Sequence, residues 1–172
     1  PAKANLNLLK ALVEYTTSPG QIILDPMAGS GSIFIAATMN RNVYAIEINP
    51  QFCRQLSIYA ELIRNQANKN GVESIHIAVI KGDCVNILPL PCHAVIFSPP
   101  YANIMKPGGG IVNREKEIKQ QLDTYQEHEQ EIITSSANLG VLSEFMYNQR
   151  MEVIYKLLYQ SIIPGGVMVI LL

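Results

Sequence analysis

The sequence predicts an α/β fold in which helices cover both faces of a doubly wound, mostly parallel sheet. Short apolar runs alternate with longer helical patterns along most of the chain, as they do in β-α-β folds. The first apolar run, Ile22-Ile23-Leu24, leads into a glycine-rich loop, and a later one, His93-Ala94-Val95-Ile96, stops at a polar residue and two prolines. Both loops therefore follow the carboxyl ends of predicted strands, the edge at which open α/β sheets bind ligands.

The individual elements are predicted from hydrophobic periodicity and from the residues that start and stop helices. Asn49-Pro50 starts a helix, because Asn is a favourable N-cap and Pro fits the first turn, and Asn70-Gly71 ends it. Pro164-Gly165-Gly166 is expected to stop the last helix. The predicted helices are 4–16, with Leu6, Leu9, Leu12 and Val13 on one face, 32–39, 50–70 and 142–162; the predicted strands are 21–24, 43–46, 75–80, 94–97 and 167–172.

Length and composition limit the class of protein. The 172 residues fit one domain, and 48% hydrophobic residues can form a sizeable core. A formal net charge of −1 gives no general basic surface, which disfavours a complete nucleic-acid-binding protein. Without a signal peptide or an apolar run near the roughly 18 residues of a membrane span, a cytoplasmic protein is expected. The chain starts at Pro1 and ends inside the apolar run 167–172, so we expect a fragment truncated after the fifth strand.

No metal site is predicted. The cysteines Cys53, Cys84 and Cys92 lack paired spacing and are expected to be reduced thiols. The histidines also lack ligand spacing, at positions His76, His93 and His128.

The loop after the first strand, Asp25-Pro26-Met27-Ala28-Gly29-Ser30-Gly31-Ser32, has the composition of an anion-binding site. Gly29 and Gly31 let the backbone turn tightly and approach a ligand, and the next helix directs its free N–H groups there. Phe34 occupies the place of the third glycine in a dinucleotide fingerprint, which disfavours a nicotinamide cofactor. A smaller anion, such as a carboxylate, fits the loop as well.

A second motif, Phe97-Ser98-Pro99-Pro100-Tyr101, ends the fourth strand. Proline fixes its own φ and restricts the residue before it, so Ser98 and Pro99 are expected to be rigid and extended. The turn presents a hydroxyl, a carbonyl and an aromatic ring, which suits the binding of a planar amine. Taken alone, the tetrapeptide Ser98-Pro99-Pro100-Tyr101 is more often a simple strand-ending turn.

Together, in this order and about 70 residues apart, the two motifs resemble those of the amino-methyltransferases. These enzymes transfer a methyl group from S-adenosylmethionine to an exocyclic amine of a nucleobase, and the form with Ser98 is most similar to cytosine-N4 DNA methyltransferases of restriction–modification systems. The resemblance implies a Rossmann-like S-adenosylmethionine-dependent methyltransferase fold, with residues 1–172 as the catalytic domain. It also implies S-adenosylmethionine as cofactor and double-stranded DNA with a flipped target base as substrate.

The resemblance implies a set of cofactor contacts. Glu47 would accept both ribose hydroxyls, although an acidic residue before a helix is also favoured by the helix dipole. Asp83 would meet the adenine amine, with a plain Gly-Asp turn as the alternative, and Ile48 and Cys84 would flank the adenine ring. Met27 is a mild departure, since members often carry Phe there. The methionine end would be held by Lys3, Asp25, Pro26, Met27, Ala28, Gly29, Ser30 and Gly31, with Asp25 accepting from the ammonium group.

The predicted catalytic residues are Ser98, Pro99, Pro100 and Tyr101. An exocyclic amine is a poor nucleophile, because its lone pair is delocalised into the ring. The Ser98 hydroxyl oxygen and the Pro99 carbonyl would each accept one of its N–H bonds, which draws the nitrogen toward tetrahedral geometry and aims its lone pair. Tyr101 would stack on the flipped base.

A polar stretch at about 102–141 interrupts the alternation of strands and helices. It predicts either a solvated, partly disordered insertion or a mobile lid beside the active site. Its closing segment, Asn138-Leu139-Gly140 before a helix with Tyr and Met, also resembles DNA methyltransferases.

Other functions stay open at this point. Adenine-N6 methylation of DNA uses the same motifs, and guanine-N2 methyltransferases of tRNA or ribosomal RNA share the glycine loop but usually carry Asn where this chain has Ser98. A cofactor-binding partner subunit without activity is the non-enzymatic alternative. No membrane partner is predicted, and the recognised base sequence cannot be read from these residues.

Overall fold

A computed structural model describes residues 5–71, 75–100, 102 and 127–171. The chain divides into two compact units: residues up to Pro99 together with Lys156 onward, and residues 100–155. The first unit contains the sheet, the glycine-rich loop and the second motif as far as Pro99. No helix in the described ranges is long and apolar enough to cross a membrane.

The secondary structure follows the predicted order with small shifts at the ends. The helices are α1 (Leu6–Thr16), α2 (Ile35–Thr38, preceded by a 3₁₀ turn at Ser32–Phe34), α3 (Pro50–Lys69), α4 (Cys84–Ile87), α5 (Glu127–Thr134) and α6 (Glu144–Ser161, preceded by a 3₁₀ turn at Leu139–Val141). The strands are β1 (Ile22–Asp25), β2 (Asn42–Glu47), β3 (Ile77–Lys81), β4 (Cys92–Phe97) and β5 (Ile162–Ile170). The short helices α4 and α5 were not predicted.

The five strands form one parallel sheet in the order β3-β2-β1-β4-β5. The prediction of an α/β fold with a doubly wound parallel sheet is therefore confirmed. The chain winds outward from β1 to β3 and then returns to place β4 on the other side of β1. This reversal makes the carboxyl edge between β1 and β4 the topological switch point, where such sheets bind ligands.

The side chains of the central strands β1, β2 and β4 form much of the hydrophobic core. Ile23, Val43, Ala45, Ala94 and Val95 are fully buried. Continuous apolar runs are required here, because a parallel sheet of this kind is covered on both faces.

Two helices begin at asparagine caps. The Asn5 side chain accepts from the N–H of Asn7 at 2.9 Å, and the Asn49 side chain accepts from the N–H of Gln51 at 2.9 Å, with Pro50 in the first turn. On α1, Leu9 and Val13 are buried as predicted, whereas Leu6 is 51% exposed. The local helix-start signals were therefore reliable, and the predicted apolar face was only partly right.

The last helix ends within a residue of its predicted end, but the predicted start of the fifth strand at residue 167 is wrong. Helix α6 ends at Ser161 and β5 starts at once, with Pro164-Gly165-Gly166 inside the strand. Cys92 pairs with Ile162 but Ala94 pairs with Val167, so the extra residues form a bulge. Proline and glycine are tolerated there because a bulge needs neither regular pairing nor a side chain.

We expect Gly166→Ala to destabilise the fold more than Gly165→Ala. A methyl group at Gly166 would lie 2.5 Å from the His93 carbonyl oxygen, so β4 and β5 must separate, at a cost of at least about 2 kcal/mol. Gly165 has φ +85° and open space around it, so alanine there costs only the left-handed strain, about 1 kcal/mol. Urea unfolding of both variants measures the difference, and an equal or smaller loss for Gly166→Ala would contradict this packing.

Candidate functional site

The carboxyl edge of the sheet brings three of the predicted site segments side by side. Asp25 ends β1, Glu47 ends β2, and Asp83 follows β3 after Gly82. Ser98 follows β4 on the other side of β1. Because all strands are parallel, these residues share one edge, as the sequence predicted.

The glycine loop between β1 and the 3₁₀ turn is held in a specific shape. Gly29 has φ +51° and Gly31 has φ +86°, the left-handed region that glycine adopts without penalty. A methyl group at Gly31 would lie 2.5 Å from Leu56 Cδ2, so the loop packs closely against α3. The backbone also bonds within and beyond the loop, with the Gly31 N–H donating to the Ala28 carbonyl at 2.9 Å.

Asp25 is a buried carboxyl group, with only 7% of its surface exposed. Its Oδ1 accepts a hydrogen bond from the Met27 N–H at 2.9 Å. Burial raises the pKa of Asp25 to about 7, the Met27 N–H offsets part of that rise, and the neighbouring Glu47 charge adds to it. The Asp25 carboxyl group is therefore only partly ionised near neutral pH.

Glu47 is the second buried carboxyl group of the edge, also 7% exposed. Oε2 accepts from the Gly29 N–H at 2.7 Å, and Oε1 accepts from the Asn49 N–H at 2.7 Å. Burial raises the pKa of Glu47, and the N–H groups of Asn49, Gly29 and Ile48 lower it in part. Glu47 is therefore not a surface glutamate.

Asp83 and Cys84 stand at the start of α4. The Asp83 side chain accepts from the Val85 N–H at 3.0 Å and so caps this short helix, while Cys84 is buried. Ile48, beyond the end of β2, is half-buried. An adenine contact at Asp83 stays a prediction, since its capping bond is also what a plain Gly-Asp turn requires.

The second motif begins where β4 and β5 are tied together. The Phe97 carbonyl accepts from the Leu171 N–H at 2.9 Å, which fixes the end of β4. Immediately after it, Ser98 is exposed and Pro99 is buried, and Pro100 is half-buried. Two predicted site residues, Tyr101 and Lys3, lie outside the described residues, as does most of the polar stretch 102–141.

The other predicted cofactor-binding residues of this segment lie within the glycine loop. Pro26 and Ala28 are buried, whereas Met27 and Ser30 are half-buried. The Ala28 N–H donates to the Ile46 carbonyl at 2.9 Å, which joins this loop to β2. The loop backbone is therefore bonded to the neighbouring strand.

Two features of the site were missed by reasoning from the sequence. One is the pair of hydrogen bonds that the Glu47 carboxylate accepts from the backbone N–H groups of Gly29 and Asn49. The other is the packing of Leu56 beneath Gly31. The position of an acidic residue between a glycine loop and a helix start was the signal for the first; nothing local signals the second.

The described ranges contain no group of His, Cys, Asp and Glu side chains that could hold a metal ion. The His93 side chain makes a hydrogen bond within the sheet: its Nδ1 accepts from the Ile22 N–H at 3.2 Å. Cys53 donates its thiol to the Glu47 carbonyl at 3.2 Å, and burial raises the pKa of Cys53 to about 11. These two side chains therefore have structural partners.

Residues 1–58 of the chain match a family model of N6/N4 methyltransferases described as DNA methylase. Over 49 residues the chain is also 45% identical to the Type II methyltransferase M.HindIII of Haemophilus influenzae. The resemblance to the N4/N6 amino-methyltransferases is confirmed. The matched segment spans 28% of this chain and 16% of the Haemophilus enzyme, so the amino-methyltransferase match is partial.

Solved structures with a similar fold cover nearly the whole chain. The glycopeptide N-methyltransferase MtfA, complexed with (S)-adenosyl-L-methionine, is 12% identical with a TM-score of 0.52, over 99% of this chain and 51% of that one. A methyltransferase of Geobacter sulfurreducens, in complex with S-adenosyl-L-homocysteine, is 19% identical with a TM-score of 0.51, over 96% of this chain and 46% of that one. The predicted S-adenosylmethionine-dependent methyltransferase fold is confirmed, and the chain spans about half the length of these proteins.

Asp25 should make the stability of the free protein depend on pH. A carboxyl group whose pKa is raised by folding stabilises the folded state fully below its ordinary pKa of 3.8, and that contribution is lost as the pH rises to about 7. Asp25→Asn keeps an acceptor for the Met27 N–H and removes the ionisation. The stability of wild type relative to Asp25→Asn should therefore fall by roughly 2–4 kcal/mol between these pH values.

Urea unfolding of both proteins across this pH range measures that difference, and Glu47 titrates in both, so its contribution largely cancels. A difference that does not change with pH would show that the Asp25 carboxyl group is not buried as described.

Proposed function

We propose that the protein transfers a methyl group from S-adenosylmethionine to the exocyclic amine of a DNA base, most consistently cytosine N4. The observation that carries this proposal is the strand order. Ser98 follows β4 and the glycine loop follows β1, and these two strands are neighbours at the switch point.

The same strand order supports the direction in which the cofactor would lie. Neighbouring strands are about 4.8 Å apart, so β3 stands roughly 10 Å from β1 on the side away from β4. A cofactor with its methionine end at the glycine loop, its ribose at Glu47 and its adenine at Asp83 would extend from β1 to β3. Its reactive end would then be the end nearest to Ser98.

The charges at the edge suit the same ligand. Asp25 and Glu47 are both buried, and the pKa of each is raised by burial. S-adenosylmethionine carries an ammonium and a sulfonium cation, and a cation close to these groups would favour their ionised forms. The carboxylate of the ligand would face the loop whose shape is set by the positive φ values of Gly29 and Gly31.

The remaining chemistry belongs to the turn after β4. When bound, S-adenosylmethionine supplies an activated methyl group on sulfur. Ser98 is exposed and makes no hydrogen bond with another described residue, so its hydroxyl oxygen is free to accept from the target amine. With the Pro99 carbonyl as second acceptor, the amine is oriented and its lone pair localised. Such catalysis rests on positioning and charge placement, and it needs no metal and no strongly basic side chain.

We favour cytosine over adenine as the target base because a serine, Ser98, precedes the two prolines. This form of the motif is typical of cytosine-N4 enzymes. The family matched over residues 1–58 is a DNA methylase family, which favours DNA over RNA as the substrate. A base inside a duplex cannot reach the turn, so the target base must be flipped out of the helix.

Analysis of the methylated nucleoside tests the function. DNA from cells that express the protein should contain N4-methylcytosine, measured by mass spectrometry of digested DNA and of digested RNA from the same cells. N6-methyladenine in the DNA would move the assignment to the adenine branch, and methylguanine in RNA alone would overturn DNA as the substrate. No new methylated nucleoside, together with measurable cofactor binding, would favour the partner subunit.

The effect of Ser98→Ala on rate tests the proposed mechanism. Loss of one oriented acceptor should cost about 3 kcal/mol of transition-state stabilisation, a reduction of about a hundredfold in single-turnover methyl transfer, with cofactor affinity nearly unchanged. Ser98→Asn retains an acceptor oxygen and should keep more activity than Ser98→Ala.

Melting temperatures of both variants serve as the control, because a simple strand-ending turn would lose stability rather than rate. A normal rate in Ser98→Ala would remove the hydroxyl from the mechanism.

A further inference from the structure

We propose that Glu47, in addition to contacting a ligand, is the positioning residue that holds the glycine loop, residues 26–31, in its binding shape before any ligand arrives. The inference deepens the function proposed above and depends on it for the identity of the ligand. It does not depend on it for the state of the loop, which is a property of the free protein.

The bonds of the Glu47 side chain are the first argument. One carboxylate oxygen accepts from the Gly29 N–H and the other from the Asn49 N–H, each at 2.7 Å. This distance is at the short end of the range for charge-assisted hydrogen bonds, which are stronger than neutral ones. One buried side chain therefore spans the loop after β1 and the loop after β2.

The backbone around Glu47 extends the connection to a third loop. The Glu47 carbonyl accepts from the Gly82 N–H at 2.9 Å, in the loop after β3. The preceding carbonyl, of Ile46, accepts from the Ala28 N–H at 2.9 Å. The loops after β1, β2 and β3, which the proposed cofactor would contact, are thus bonded to one short stretch at the end of β2.

The glycine loop needs such a restraint. Gly29 and Gly31 can populate many backbone conformations, and ordering them on binding would subtract free energy from the affinity. A loop already fixed by Glu47 avoids that loss. Each carboxylate oxygen has a second lone pair, so both can still accept ribose hydroxyls while bonded to the two N–H groups.

The variant Glu47→Gln distinguishes the positioning of the glycine loop from the binding of the ribose. A glutamine side chain has one acceptor oxygen, and its NH₂ group would face the other backbone N–H, donor against donor. For ribose binding alone, an amide is a tolerable replacement, because it can accept from one hydroxyl and donate to the other. Glu47→Asp is the second variant: it keeps the charge but is one methylene too short to reach both N–H groups.

Amide hydrogen exchange of the ligand-free protein is the decisive measurement. In both variants we expect the amide of Gly29 or of Asn49 to exchange at least tenfold faster than in wild type. The amide of Val95 in the central strand β4 should keep its protection, which shows that the sheet stays folded. Calorimetry with S-adenosylhomocysteine should give at least tenfold weaker binding at a temperature well below unfolding.

Asp83→Asn is the matched control, since it changes a carboxylate at the neighbouring strand end while the amide oxygen can still accept from the Val85 N–H. It should leave the exchange of Gly29 and Asn49 unchanged. Unchanged exchange of both amides in Glu47→Gln and Glu47→Asp would overturn the positioning role, even if affinity falls. Faster exchange in a protein whose wild type binds no cofactor would support the positioning role and refute the proposed function instead.

Discussion

The bond network of Glu47 is the interaction on which the candidate site depends. Its two carboxylate oxygens accept from Gly29 and Asn49, and its carbonyl accepts from Gly82 and from the Cys53 thiol. Without these bonds, the loops after three neighbouring strands would share their place at the sheet edge and the bond from the Ala28 N–H to the Ile46 carbonyl. With them, the edge is a continuous surface whose backbone groups have fixed directions, which any ligand spanning several loops requires.

The rigidity of this edge comes from the core beneath it. Val43, Ala45 and Ile46 of β2 are fully buried, as is Leu56 of α3, which lies where any side chain on Gly31 would have to go. The loop can follow its path over α3 only because Gly31 lacks a Cβ and adopts φ +86°. The shape of the loop and its packing against α3 therefore depend on the same residue, because α3 can approach the loop closely only where Gly31 lacks a side chain.

The sequence predicted those features that local chemistry decides. The start of α3 at Asn49-Pro50 was correct because a capping side chain and a proline act within one turn. The start of β5 was placed too late, at residue 167 instead of Ile162, because Pro164-Gly165-Gly166 is a local break signal. Pairing of β4 with β5 overrides that signal and absorbs these residues in a bulge. Local patterns also cannot supply the strand order, since which strand lies beside β1 is decided by packing across the whole sheet.

The candidate site also has features that the sequence predicted and features that it did not. The segments at the strand ends, from Asp25 to Ser98, were found from the sequence because strand-ending motifs in a parallel sheet must share one edge. Their mutual bonds were not, because the distance from the Glu47 carboxylate to the Gly29 N–H depends on how far β2 extends beyond β1. Tyr101 and Lys3 stay predictions, since they lie outside the described residues.

Electrostatics connects the two substrates of the proposed reaction. Buried carboxyl groups cost stability, and the raised pKa of Asp25 means that the free edge carries less negative charge at neutral pH than its composition suggests. A cationic ligand would let these carboxyl groups ionise while it neutralises them, so binding would relieve a penalty that folding incurs. For the proposed DNA substrate, a polyanion, this burial has a consequence: exposed carboxylates at the edge would repel the phosphates more strongly than buried, partly protonated carboxyl groups do.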